Sequence, residues 1–273
     1  SVMLSEKSGP LGPEELAGYQ RDGFVVRHSV LSQQECATWV AQVARAQGTA
    51  LASIDLGAHE GEPVVGYTLD DNRFFDLAHI TVQLEHDDLS GAVRVIEPIQ
   101  DLIPAFNALI DDARLTAPMQ QLVRDTSLSL WTAKLNVKSA RSGSGFAWHQ
   151  DAPYWTHDSD HVARLPNVMV LFEEATLENG CLRIIRGSHD RGLLPGCEDG
   201  RQLQGFYTHP QAFSTADEVA LAAPAGSLIF FDPFCVHGSG PNLTDRGRSA
   251  VILTYQPGGY PTLKSRVLRP VGS

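Results

Sequence analysis

Between residues 127 and 257 the chain offers a succession of short apolar runs, cut by turn residues and with no comparable helical stretch between them. "SLSLWTAKLNVKS" alternates as a half-buried strand does. "NVMVLFEEA", "CLRIIRGSH", "SLIFFDPFCVHGS" and "SAVILTYQP" follow, separated by Gly, Pro, Asn and Asp. Five or more strands so arranged predict a sandwich or barrel. "LENG", ahead of Cys181, reads as a tight hairpin turn. Upstream the pattern is helical. Pro13, two acids and Gly23 bracket one helix, and Ser32 with Glu35 forms the capping box of a second. "PIQDLIPAFNALIDD" and "APMQQLVRD" read as amphipathic helices, whereas residues 51–82 show no clear period and read as loop with short strands, "FFDLAHI" as a helix turn. The expectation is a mainly β fold with flanking helices. A helix-rich part (about 1–126) leads into a β core (about 127–257) within one domain, 1–273, with no dividing linker.

Composition narrows the function classes. A formal net charge of −11 with no Lys/Arg cluster argues against nucleic acid and anionic membrane surfaces, yet leaves a small-molecule substrate open. No apolar run approaches a membrane span, and "SVMLSEKSGP" lacks the basic start and apolar stretch of a secretory signal, so a cytoplasmic protein is expected. The four cysteines are widely spaced without a C-x-x-C, which reads as reduced thiols. Oligomeric state is left open.

The chemistry concentrates in "FAWHQDAPYW", residues 146–155. Residues i and i+2 of a strand share a face, so His149 and Asp151 could share a metal ion or merely a surface salt bridge. His157, His161, His189, His209 and His237 are candidates for a third ligand. His237 is best placed, at the end of a strongly apolar strand before a Gly/Pro/Asn turn. Two imidazoles and a carboxylate on one face of Fe(II) leave three adjacent positions open, enough for a bidentate 2-oxo acid and O2. Arg248 opens the next apolar strand eleven residues after His237, where its planar fork could grip the distal carboxylate of 2-oxoglutarate, while Arg246 falls in a turn facing water. A cupin-like metal isomerase or hydrolase using the same ligands, or a non-catalytic jelly-roll binding protein, stand as alternatives.

"FAWHQDAPYW", "LENGCLRIIRGSH" and "VHGSGPNLTDRGRSAVILTY" resemble motifs of the phytanoyl-CoA dioxygenase family of Fe(II)/2-oxoglutarate oxygenases, over roughly residues 14–256. The resemblance implies a double-stranded β-helix (jelly roll, cupin-like). It implies that His149, Asp151 and His237 bind iron, that Arg248 assisted by Ser239 binds the oxo acid, and that O2 is the second co-substrate. By resemblance to the ectoine hydroxylases of that family, Asn136 and Phe146 also contact the oxo acid and Trp155 packs on the substrate. The chain departs from those enzymes in reading Gln-Asp-Ala-Pro-Tyr after the first His, and in carrying Arg186 where Pro is usual, both near the expected substrate pocket. Tyr154, Lys134 and Arg186, the last as an anion clamp, complete the expected substrate contacts, and residues 50–90 and 155–165 are expected to loop over the pocket. Halogenating relatives replace the carboxylate ligand by Gly or Ala. Asp151 is present, so the expected activity is hydroxylation of an unactivated C–H of a small metabolite, with 2-oxoglutarate decarboxylated to succinate and CO2.

Overall fold

A computed structural model describes residues 8–86 and 91–272. Helix α1 (Pro13–Asp22) begins at a proline and stops at Gly23, whose φ of 87° suits only a residue without Cβ. Strand β1 (Phe24–Arg27) follows, and helix α2 (Gln33–Leu56) starts at the reciprocal Ser32–Glu35 capping box. The chain continues through β2 (Ala58–His59), β3 (Glu62–Pro63), β4 (Val65–Leu69), β5 (Asn72–Leu77), β6 (Ile80–Leu84) and β7 (Val93–Glu97). Helices α3 (Ile99–Leu102), α4 (Asn107–Ile110) and α5 (Ala113–Val123) lead into β8 (Leu128–Lys138). The remaining strands are β9 (Phe146–His149), β10 (Asn167–Leu171), β11 (Leu182–Ile185), β12 (Glu218–Ala220), β13 (Leu228–Phe231), β14 (His237–Ser239) and β15 (Arg248–Pro257).

The strands form two facing antiparallel sheets, one of nine in the order β1-β13-β10-β15-β8-β7-β6-β5-β4 and one of four in the order β12-β11-β14-β9, plus the small β2–β3 hairpin. Central strands of the large sheet are buried on both faces, which is why they read as continuous apolar runs. On β15, Val251, Leu253 and Tyr255 pack with the helices, alongside Val43, Phe106 and Met119. Ala250 and Ile252 point the other way and join Met169, Ile229, Phe231 and Ile184 between the sheets. Each of the Val, Leu, Ile, Met and Phe side chains among these contributes about 1.5–3 kcal/mol by leaving water. The inter-sheet layer is apolar toward β12 and β13, and at the opposite end it gives way to a cavity into which polar and charged side chains project.

Several elements differ from the sequence reading. The first 126 residues are less helical than expected, because β1 and β4–β7 are members of the large sheet. "FFDLAHI" is no helix turn: it runs from β5 into β6 through a turn at Ala78, φ 54°. Its adjacent phenylalanines take opposite faces. Phe74 lines the cavity and stacks on Tyr67, while Phe75 packs on the core, so the apolar pattern carries neither period clearly. "PIQDLIPAFNALIDD" is not one helix either. Pro104, which cannot donate to the preceding turn, splits it into α3, a 3-10 turn over 104–106, and α4. "LENG" turns the chain, but it does not join hairpin partners, since β10 lies in the large sheet and β11 in the small one.

Candidate active site

His149 and His237 are cross-strand partners, the last residue of β9 against the first of β14. Directly opposed residues place their Cβ atoms about 5 Å apart, and here the two ring centroids lie 4.2 Å from one another. Asp151 reaches the same point by a different route from the one expected. The strand ends at His149, and Asp151 has helical backbone angles (φ −78°, ψ −33°) at the entry to a 3-10 turn over 152–154. The strand parity proposed for the His-x-Asp pair is therefore replaced by a turn that swings the carboxylate back. Asp151 Oδ1 lies 3.6 Å from Nε2 of each imidazole, and the three ligand atoms all fall within 4.8 Å of one another.

The surroundings fix how these groups present themselves. Nδ1 of His149 meets the Ala147 carbonyl at 2.7 Å, and Nδ1 of His237 meets the Cys235 carbonyl at 2.9 Å. A carbonyl only accepts, so each Nδ1 carries the proton and each Nε2 offers a lone pair to the common point. Burial pushes the His237 pKa down to about 4, so its ring is neutral and ready to ligate at ordinary pH. Burial works against the ionised Asp151 carboxyl, but the interactions with His237, Lys134 and His149 outweigh it and hold its pKa below the usual carboxylate range. Asp151 Oδ2 accepts a hydrogen bond from Asn167 Nδ2 at 2.8 Å. Two imidazoles and one carboxylate on a single side suit Fe(II). Of the other histidines, His161 contacts Gln256 and His189 the Gln20 carbonyl, away from this point.

The triad opens into a cavity of about 1010 Å³ between the sheets. Arg248, Ser239, Asn136 and Phe146 all line it. Arg248 is 5% exposed, and its Nη2 and Nε donate to the carbonyls of Gly180 (2.5 Å) and Asn179 (3.3 Å). Burial lowers its pKa to about 10, which leaves it charged. Two further cations at this end were not anticipated. Lys138 lies two residues beyond Asn136 on β8, and its Nζ donates to Ser239 Oγ at 2.8 Å. Arg94 stacks 3.9 Å above the Phe146 ring and donates to the Gly145 carbonyl at 2.5 Å. Gln83 pairs with Val95 but Leu84 with Val93, so Arg94 is the extra residue of a β-bulge, which turns it toward the cavity. Strand period alone would have placed it with Ile96 in the core.

Toward the other end, Lys134, Tyr154 and Trp155 line the cavity. Trp155 is buried edge-on against Trp131, 6.4 Å between centroids, and Lys134 Nζ lies 6.0 Å from its ring. Tyr154 stacks on Phe206 at 4.5 Å. Arg186 is not at the cavity. Its side chain is half exposed and lies 3.5 Å from Asp22, at the start of the loop after β11, so the expected anion clamp has no access to the site. Among the described residues of 50–90 the cavity is lined chiefly from β5 and β6, which extend the sheet, where loops were expected. The long β11–β12 connection, with Leu203, Tyr207, Pro210 and Phe213 facing in, forms much of the mouth. Its sequence has no periodic pattern that would have marked it.

Residues 19–250 match the family model for phytanoyl-CoA dioxygenase (PhyH). The chain belongs to that family. It is 28% identical to the ectoine dioxygenase of Sphingopyxis alaskensis, covering 99% of this chain and 83% of that protein. It is 27% identical to L-proline trans-4-hydroxylase of Streptomyces griseoviridis, over 61% of this chain and 68% of that one. The crystal structure of EctD from S. alaskensis with 2-oxoglutarate and 5-hydroxyectoine superposes with a TM-score of 0.64 at 25% identity, over 91% of this chain and 77% of that one. EctD with bound Fe gives 0.63, over 91% and 78%. The enzyme is an Fe(II)- and 2-oxoglutarate-dependent dioxygenase of the hydroxylase type, with O2 as co-substrate, on a jelly-roll fold. Among the described residues no helix is long and apolar enough to cross a membrane.

Proposed function

We propose that His149, Asp151 and His237 hold the iron, that Arg248 anchors the distal carboxylate of 2-oxoglutarate with Ser239, Asn136 and Phe146 shaping that subsite, and that a carboxylate-bearing metabolite occupies the Lys134–Trp155 end. The observation that carries the reading is the convergence of two imidazole Nε2 atoms and one buried carboxylate oxygen at the wall of a cavity whose far side presents a buried guanidinium. Iron, when bound, supplies activation of O2 coupled to decarboxylation of the oxo acid. The protein's part is placement. The Nδ1–carbonyl bonds keep both imidazoles in the ligating tautomer. Asn167 turns one oxygen of Asp151 away and leaves the other for the metal. Arg248, held by two carbonyls, fixes the oxo acid at one distance from the triad.

Lys134 supports the substrate class. It faces the cavity with no hydrogen-bond or ion-pair partner among the described residues, beside the flat face of Trp155 and close enough to Asp151 and His237 to influence both. A cation in a partly desolvated pocket gains most from an anion. The volume leaves room for a substrate larger than the oxo acid itself, and Phe74, Leu203 and Phe213 give it an apolar wall. The relatives named for ectoine and L-proline act on small polar molecules, which agrees with a metabolite substrate. The test is a metabolite screen for 2-oxoglutarate-dependent O2 consumption and succinate release by the iron-loaded enzyme. Stimulation by carboxylates and not by their amides is expected. Metal-dependent turnover that needs neither O2 nor an oxo acid would overturn the reading.

A further inference from the structure

Glu97 stands beside Lys134 in the wall of the cavity. Strand β7 pairs with β8 at Val95–Asn136 and Ile96–Leu135, and the next step of that antiparallel register sets Glu97 against Lys134. Both side chains face the cavity. Opposite charges so placed on one face of a sheet attract, yet these two form no ion pair. Thr132, two residues before Lys134 on the same face of β8, donates its hydroxyl to Glu97 Oε2 at 2.6 Å and holds the carboxylate toward its own end of the strand. Lys134 Nζ lies instead 6.0 Å from the Trp155 ring, close enough to Asp151 and His237 to influence both. Among the described residues Glu97 has no other side-chain hydrogen bond, so its Oε1 is not engaged. On the far side of Glu97 its register partner Thr81 accepts a hydrogen bond from Lys264 Nζ at 3.0 Å, and Lys264 forms no ion pair with Glu97 either. The cavity thus presents a carboxylate and an ammonium side by side, each without its counter-charge.

We infer that Glu97 is a specificity-determining residue and that the substrate is a zwitterion, its carboxylate held by Lys134, as in the functional reading on which this rests, and its protonated nitrogen held by Glu97 Oε1. A charge in a partly desolvated wall gains most from a partner of opposite sign. One zwitterion supplies both partners at once. A nitrogen-free acid satisfies Lys134 alone, leaves Glu97 unpaired and brings two carboxylates close together, where they repel. A site built to bond a polar group rejects the analogue that lacks it far more strongly than an apolar pocket rejects a missing methylene. Two anchors on neighbouring strands also fix which carbon of the substrate turns to the triad, which a single flexible lysine does not.

The test compares free amino acids with their 2-hydroxy-acid and N-acetyl counterparts. Binding is read by calorimetric titration into anaerobic protein loaded with Fe(II) and 2-oxoglutarate, and turnover by stimulated succinate release. In wild-type protein at least one amino acid is expected to bind roughly tenfold or more tightly than both of its counterparts. Glu97→Gln keeps an acceptor for the Thr132 hydroxyl and removes the charge. It is expected to weaken that amino acid roughly tenfold to a hundredfold while the hydroxy acid is held as well as before or better. A merely structural Glu97 would lower the melting temperature in Glu97→Gln and leave the ranking of amino acid over hydroxy acid unchanged, and that result overturns the inference. So does wild-type protein that binds no amino acid, or that binds hydroxy acids, N-acetyl acids or nitrogen-free dicarboxylates spanning Lys134 and Lys264 as tightly as amino acids, a result that needs no variant to fold and leaves Lys134 as a carboxylate anchor. Carboxylates bound no better than their amides overturn the Lys134 reading together with this inference.

Discussion

Asn167 Nδ2 donates to Asp151 Oδ2 across 2.8 Å, and Thr254 Oγ1 in turn donates to Asn167 Oδ1 at 2.5 Å. All three residues are buried, and Asn167 and Thr254 are register partners on β10 and β15. The hydroxyl fixes which way the amide faces, and the amide fixes which carboxylate oxygen is free. The proposed iron site is thus tied to the centre of the large sheet. Groups behind a metal ligand are typically worth ten- to hundredfold in metal affinity. Asn167→Ala is expected to weaken Fe(II) binding by about that factor, and Asn167→Asp by more, since it sets a second carboxylate against the first. Anaerobic metal titration measures both, and wild-type affinity in Asn167→Asp would detach this residue from the site.

Removing a ligand is a different matter from loosening one. Asp151→Ala or His237→Ala is expected to abolish substrate-stimulated succinate formation while the fold, built on layers away from the triad, persists by circular dichroism. Turnover retained in purified, iron-loaded Asp151→Ala contradicts the triad.

Arg248→Ala removes a charged donor from a buried carboxylate site. Hydrogen bonds to charged groups contribute about 1.5–3 kcal/mol, so the KM for 2-oxoglutarate is expected to rise roughly tenfold to a hundredfold. Arg248→Lys recovers only part, because an ammonium lacks the two-pronged geometry. An unchanged KM in Arg248→Ala removes the residue from this role.

Lys134→Met separates substrate from co-substrate. Oxo-acid affinity is expected to stay within about twofold of wild type, while the preference for carboxylate over amide substrates disappears. Should Lys134→Met instead lose 2-oxoglutarate affinity, the two ends of the cavity have been assigned the wrong way round.

The ligand-free protein also carries a pH signature. The folded Lys138 pKa of about 7 lies below its ordinary value of 10.5, so between those values the unfolded chain binds more protons than the native one. Stability therefore rises with pH across that window and is lowest where Lys138 is forced to be charged, below pH 7. Denaturant midpoints measured from pH 6.5 to 9.5 are expected to rise more steeply for wild type than for Lys138→Met, and parallel curves refute the assignment of this burial.

The Ser32–Glu35 cap, the stop at Gly23 and the apolar strands β10, β13 and β15 were all legible from the chain, because each is a local pattern whose period or turn chemistry repeats within a few residues. So were the donor types in "FAWHQDAPYW" and "VHGSG", since their chemistry belongs to the residues themselves. The β5–β6 hairpin was not legible. Phe74 and Phe75 face opposite ways only because neighbouring strands make two surfaces for them. Arg94 enters the cavity through a bulge, Lys138 meets Arg248 through register, and Arg186 is carried out of reach by the loop it occupies. Sequence alone determined which groups could bind a metal and an oxo acid. The tertiary pairing decided which of them meet, because the distance between charges is set by strand register and sheet closure, which depend on residues far apart in the chain.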